Sequence, residues 1–221
     1  LKIGAMTREV ETEESTDVAK HFPIFADLAT LIADPQVRNF GTLGGNLAHG
    51  DAANDQPAVM LALNASVEIA GLNGRRTVGI DDFFYGFYAT AVQEDEILTE
   101  ISIPIPMGLS GNAYHKVERK VGDYATGGVA VHLEFDEQGI CSKAGIGLTN
   151  VNPTPMRAVR SEAELVGTFL SDEAIASAAQ YASEDCNPSS DLRGDVDYKR
   201  HIIKAITKKM INKAKQRAFN N

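Results

Sequence analysis

The sequence predicts an α+β chain in two units, on three observations. Segments of period-two alternation flank turn signals at Asn73-Gly74 and around Asp136-Glu137-Gln138-Gly139, the pattern of antiparallel hairpins. Apolar residues at helical spacing lie before the first hairpin and after the second. Between the hairpins, residues 107–112 are rich in Gly and polar side chains, which divides the chain into units of residues 1–108 and 109–221. At 221 residues with 43% hydrophobic content, the chain can bury a substantial core.

In order, Leu1-Lys2-Ile3-Gly4-Ala5 alternates and reads as a strand already under way, so a further portion is expected upstream. An acidic patch at 9–14 precedes a helix that Ser15, Thr16 or Asp17 caps. Val18, Phe22, Phe25, Leu28, Ala29 and Ile32 recur along it at helical spacing, Pro23 marks a break or the start of a second helix, and Asp34-Pro35 ends it. Residues 37–55 then read as a binding loop, with Gly41, Gly44 and Gly45 beside Thr42 and Asn46, and Asp51 and Asp55 just before the apolar run 56–63. Glycines bend sharply and let main-chain N–H groups approach an anion, and a following helix adds favourable partial charge, so a diphosphate is the natural guest. On glycine spacing alone, a plain connection between core elements is the commoner reading of such a stretch, because isolated glycine patterns are common.

Residues 65–70 and 75–80 form the first hairpin. The ring-rich run 83–88 is expected in a core or an interface rather than against a cofactor. Residues 96–103 alternate and stop at Pro104. In 113–125, charges and aromatics alternate so that Lys116 projects to the same side as Tyr114. Residues 127–135 and 139–148 form the second hairpin, with Val129, Val131, Leu133 and Phe135 on one face. Helices follow at 161–169 and 171–183, then a polar loop to 197. A last helix over 198–219 carries Ile202, Ile206 and Met210 on one stripe, beside Ile203, Ala214 and Ala218.

The formal net charge of −9 argues against nonspecific nucleic-acid binding. Eight Lys or Arg and no acidic residue fall in 199–221, which leaves thirteen basic against thirty acidic groups over 1–198. The basic end is expected to be a solvated or subunit-facing surface. Cys141 and Cys186 are far apart, giving neither a disulfide framework nor iron–sulfur or zinc spacing, and a reducing cytoplasmic setting is expected. No apolar run approaches a membrane span. His21, His49, His115, His132 and His201 lack ligand spacing, and no G-x-S-x-G, P-loop or G-x-G-x-x-G motif is present.

The run Val37-Arg38-Asn39-Phe40-Gly41-Thr42-Leu43-Gly44-Gly45-Asn46 with Asp55, then Glu96-Ile97-Leu98-Thr99-Glu100-Ile101-Ser102-Ile103-Pro104, then Tyr114-His115-Lys116 with Gly122-Asp123-Tyr124-Ala125, resembles the FAD-binding medium subunit of molybdenum hydroxylases. That family includes the carbon monoxide dehydrogenase medium subunit and the flavin domain of xanthine dehydrogenase. The resemblance covers essentially the whole chain. It implies an FAD-binding middle subdomain with mixed or antiparallel sheet and helices, then a C-terminal domain of a three-stranded antiparallel sheet plus a helical bundle.

It implies that Thr42, Leu43, Gly44, Gly45 and Asn46 hold the FAD diphosphate, chiefly through backbone N–H groups. Asp55 accepts from ribityl or ribose hydroxyls, Leu98 packs on the dinucleotide, Lys116 lies near the flavin and Tyr114 shields an aromatic face. His49, Asp51 and Asp123 are weaker neighbours of the same site. No residue is assigned to catalysis on substrate or to a metal. The family's first FAD loop, an A-G-G-x-S segment of an N-terminal subdomain, has no counterpart in this sequence.

The implied activity is that of an oxidoreductase. The chain relays electrons from two [2Fe–2S] clusters in a small subunit, through FAD, to an external acceptor. A large subunit carries the molybdenum cofactor and the substrate chemistry, in a cytoplasmic dimer of heterotrimers. The alternatives are a stand-alone FAD oxidoreductase and a flavin-free assembly module.

Overall fold

The computed structural model describes residues 1–220. Strand β1 (Lys2–Gly4) opens the chain, and helices α1 (Glu9–Glu14), α2 (Thr16–His21) and α3 (Ile24–Ala29) follow. The expected acidic patch is therefore helix α1, and Glu9 is buried within it. Asp34-Pro35 starts a helix rather than ending one: α4 (Pro35–Phe40) has Asp34 as its N-cap, accepting from the Val37 N–H at 2.9 Å, with Pro35 in the first turn. The expected binding loop is largely helical too. Helix α5 (Leu43–His49) is capped by Thr42, which accepts from the Gly45 N–H at 3.1 Å, and stops at Gly50, whose φ of 69° suits glycine. Helix α6 (Asp55–Ala62) then runs into the core.

Strands β2 (Ser66–Gly71) and β3 (Gly74–Gly79) form the first hairpin. A small ribbon of β4 (Phe84–Gly86) and β5 (Ala89–Thr90) precedes β6 (Glu96–Ser102). The sheet order is β1-β6-β2-β3, antiparallel throughout. Register pairs Ile3 and Val67 with Ile101, and Ile69 with Leu98, so one face buries these side chains. The ring-rich run splits between environments: Phe83 is buried, whereas Tyr85, Phe87 and Tyr88 are exposed. The short ribbon has one covered side, so only part of the run reaches the core.

The second sheet has order β10-β9-β8-β7, from β7 (Ser110–Glu118), β8 (Ala125–Phe135), β9 (Cys141–Thr149) and β10 (Met156–Arg157). Its three long strands match the expected three-stranded sheet, with the two-residue β10 added at one edge. Helices α7 (Val159–Leu165), α8 (Asp172–Asp185) and α9 (Val196–Phe219) complete the chain. Ser171 and Asp195 cap α8 and α9. The stripe Ile202, Ile203, Ile206, Met210, Ala214 and Ala218 is buried, and α9 packs on β7 and β8. Among the described residues, no helix is long and apolar enough to cross a membrane.

Both faces of this second sheet are covered, and glycines set the distance on each. A Cβ on Gly111 would lie 2.0 Å from the Ala214 carbonyl of α9. On the opposite face, Cβ atoms on Gly145 and Gly147 would lie 2.0 Å from the Ala62 and Ala58 carbonyls of α6. Strand alternation turns Asn112, Tyr114 and Lys116 toward that second face, as expected for Lys116 with Tyr114. Asp27 of α3 fastens the layers, accepting from Lys213 at 2.7 Å, from Arg217 at 2.8 and 2.9 Å, and from the Tyr114 N–H at 3.0 Å. Part of the basic surface of α9 is therefore turned inward. Lys215 also donates to the Phe169 and Leu170 carbonyls, and Lys204, Lys208 and Lys209 remain exposed.

Two predictions concern this packing. Gly147→Ala must displace α6 from β9 and is expected to cost about 1–3 kcal/mol in urea unfolding. Gly79→Ala, where a Cβ meets open space, is expected to change stability by about 0.5 kcal/mol or less.

A third prediction concerns Glu9, whose carboxylate accepts from the Gln56 amide between α1 and α6. Burial pushes its pKa up from 4.5 to about 7, against the Gln56 hydrogen bond, and the Asp55 charge pushes the same way. A carboxyl raised in the folded state costs nothing below pH 4.5 and its full penalty, roughly 3 kcal/mol, above pH 7. Stability of Glu9→Gln should therefore fall less than that of the unsubstituted chain between pH 4.5 and 7, as chemical denaturation would show. Parallel pH profiles would contradict this.

Candidate functional site

The site begins at the first turn of α6. Asn54 is its N-cap residue and Asp55 follows, buried at 6% exposure where α6 meets the second sheet. One Asp55 oxygen accepts from the Lys116 ammonium at 2.7 Å, and the other accepts from the Tyr114 hydroxyl. Tyr114 also lies 3.3 Å from the Thr149 hydroxyl. Lys116, itself 3% exposed, donates to the Asp123 carbonyl at 2.9 Å and lies 3.6 Å from Glu118. Burial raises the Asp55 pKa, opposed by the Lys116 charge and by hydrogen bonds from Lys116 and Tyr114. Burial, with the Asp55 charge, pushes the Tyr114 hydroxyl well above its usual value, so it stays protonated and donates.

Asp55 and Lys116 border a cavity of about 290 Å³. Asn46 and Asn54 line one side, Asp123 and Tyr124 another, and Ile32 and Val37 supply apolar wall. The Asn54 amide donates to the Asn46 carbonyl at 3.2 Å. The Asn46 side-chain oxygen is buried with no partner, which leaves an acceptor in that wall for an incoming donor. A carboxylate, an ammonium, amides and an aromatic ring thus converge on a partly apolar concavity, the make-up of a small-molecule site. The Asp55–Lys116 pair distinguishes it, since both charges are buried where they meet the cavity. The groove at the β2–β3 hairpin is lined by Arg76 and Glu96, which pair with each other at 2.6 Å.

Of the residues expected at a cofactor site, Asn46, Asp55 and Lys116 are gathered here. Tyr114 stands behind Asp55, fully buried, and does not line the cavity. Leu43 and Leu98 are core residues of the first unit. The glycine-rich stretch serves packing first: a Cβ on Gly44 would lie 2.5 Å from that of Ala5. The N–H groups of Leu43, Gly44 and Asn46 donate to the carbonyls of Thr7, Ala5 and Thr42, each at 2.9 Å, and that of Gly45 to the Thr42 hydroxyl. Most amides expected to cradle an anion are therefore engaged within the chain. His49 packs against Tyr88 with the rings tilted by 55° and centroids 4.9 Å apart, and the Tyr88 hydroxyl donates to Asp51 at 3.3 Å, forming a separate cluster.

Tyr124 is the aromatic that sequence reasoning missed. It is half exposed at the cavity edge, on the turn between β7 and β8. Its position just after Gly122-Asp123 was the available signal, since a turn leaves a ring outside the core, whereas Tyr114 lies on a strand covered on both faces.

The family described as the FAD binding domain in molybdopterin dehydrogenase matches residues 1–106, and the CO dehydrogenase flavoprotein C-terminal domain matches residues 112–214. The chain is 44% identical over 212 residues to the carbon monoxide dehydrogenase medium chain of Hydrogenophaga pseudoflava, covering 96% of this chain and 74% of that protein. It is 43% identical over 218 residues to the medium chain of Afipia carboxidovorans, covering 99% and 75%. A solved structure of carbon monoxide dehydrogenase from Hydrogenophaga pseudoflava superposes with a TM-score of 0.94 at 46% identity, over 98% of this chain and 75% of that one. Both sheets therefore belong to a known architecture, and the chain is a member of the FAD-binding medium-subunit family of the molybdenum hydroxylases, a family of oxidoreductase subunits.

Proposed function

We propose that this chain holds FAD in the cavity beside Asp55 and Lys116 and serves as the electron-relay subunit of a molybdenum-containing dehydrogenase. Electrons would come from [2Fe–2S] clusters of a small subunit, with the molybdenum cofactor in a large subunit, and leave to an external acceptor. The observation that carries the reading is the buried Asp55–Lys116 pair opening onto a single concavity edged by Asn46 and Tyr124. When bound, the flavin supplies the redox chemistry.

The residues fit that group. Asp55 has lone pairs beyond those used by Lys116 and Tyr114, and accepts from sugar or ribityl hydroxyls. The unpartnered Asn46 oxygen accepts a further hydrogen bond. Lys116 places a fixed positive charge where negative charge gathers, in surroundings dry enough to strengthen the attraction. Tyr124 offers a ring face for stacking and keeps water from one side. Thr42, Leu43, Gly44, Gly45 and Asn46 stand near the diphosphate in this proposal, with Leu98 and Tyr114 supporting from the core. The division at 108/109 gives Asn46 and Asp55 to the first unit, and Lys116, Asp123 and Tyr124 to the second. A cytoplasmic dimer of heterotrimers is the proposed assembly, and the two buried free cysteines accord with a reducing compartment.

The test is FAD titration followed by visible absorption and flavin fluorescence. Asp55→Asn is expected to weaken FAD binding by about 10- to 100-fold, the loss of a charge-assisted hydrogen bond. Thermal melting run alongside separates that loss from unfolding. Unaltered affinity in a folded Asp55→Asn chain would remove Asp55 from the site.

A further inference from the structure

We propose that Arg193 is a positioning residue that fixes the 119–124 turn, and with it Tyr124, at the edge of the cavity. This rests on the FAD reading above for its consequence, though not for its geometry.

The turn has few ties of its own. Asp123 carries most of them: its N–H donates to the Lys120 carbonyl at 3.0 Å, its carbonyl accepts from Lys116, and its carboxylate accepts from the Tyr124 N–H at 2.8 Å. Gly122 sits at φ 79°, where a Cβ would lie 2.5 Å from the Ala33 carbonyl, so the turn passes close to the cavity wall. The carboxylate is held from outside by Arg193, whose guanidinium donates to it at 3.0 Å. That bond is the main cause holding the Asp123 carboxyl below its usual range. Arg119, more than half exposed, reaches the same carboxylate only at 3.5 Å.

Arg193 is anchored in turn. Its N–H donates to the Asp191 carboxylate at 2.7 Å, and Asp191 and Gly194 exchange backbone hydrogen bonds at 3.0 and 3.2 Å. Lys199, 1% exposed in the first turn of α9, donates to Asp191 at 2.8 Å and to the Ser189 carbonyl at 2.9 Å. A buried lysine thus stiffens one turn so that its arginine can stiffen another, and the second turn carries the cavity's aromatic edge. A bidentate-capable guanidinium suits this, because it fixes direction as well as charge.

The test combines hydrogen exchange of the 119–124 segment with FAD titration, on the full chain. Arg193→Gln is expected to speed exchange at Asp123 and Tyr124 by about tenfold and to weaken FAD binding by about tenfold, with altered flavin fluorescence as Tyr124 loosens. Arg193→Lys should recover part of both, whereas Arg160→Gln, which breaks the exposed pair with Asp185, should move neither. Exchange unchanged in Arg193→Gln overturns the proposal whatever FAD does. Faster exchange with unchanged FAD affinity and fluorescence overturns it as well. An unsubstituted chain that takes up no FAD overturns the flavin reading instead, while the exchange result still decides whether Arg193 holds the turn.

Discussion

The rest of the structure depends on burying one ion pair, Asp55 with Lys116, where α6 packs on the second sheet. Removing a carboxylate and an ammonium from water is costly, and further hydrogen bonds to both partners offset that cost. Tyr114 satisfies one Asp55 oxygen and the Asp123 carbonyl takes a second Lys116 proton. Asp55 arrives on α6 and Lys116 on β7, so the pair also welds the two cores together. Their approach requires α6 to lie almost on the backbone of β9, which is why Gly145 and Gly147 carry no Cβ. Packing and polar satisfaction are thus one constraint seen from two sides, and the cavity is the space left where that contact ends.

Much of the fold was legible because its signals were local. Asn73-Gly74 sets a hairpin whatever surrounds it, and the stripe from Ile202 to Ala218 declares which face of α9 is buried. The errors came where local signals compete. Asp34-Pro35 reads as a stop when approached from the preceding helix, yet Asp before Pro is also a start signal, and the structure uses it as one. Glu9 opens an acidic patch whose other carboxylates, at 11, 13 and 14, are exposed. Only the distant Gln56 reveals it as buried, and no pattern within α1 reports that contact.

The site was half legible for the same reason. Asp55 and Lys116 lie 61 residues apart, and no spacing rule joins them; the family resemblance did. The glycine-rich stretch was less legible in its detail, since glycine permits close approach without saying what approaches. At Gly44 the close neighbour within the chain is Ala5. Tyr114 and Tyr124 differ only in what covers them, and coverage is a property of the sheet rather than of the segment.

The central claim is that the concavity beside Asp55 and Lys116 is where the flavin nucleotide sits. A crystal structure of the protein grown with FAD tests it most directly. The account predicts a flavin nucleotide contacting Asp55 and Lys116, with Tyr124 against its ring system. Flavin density elsewhere, with this cavity left to water, would contradict it.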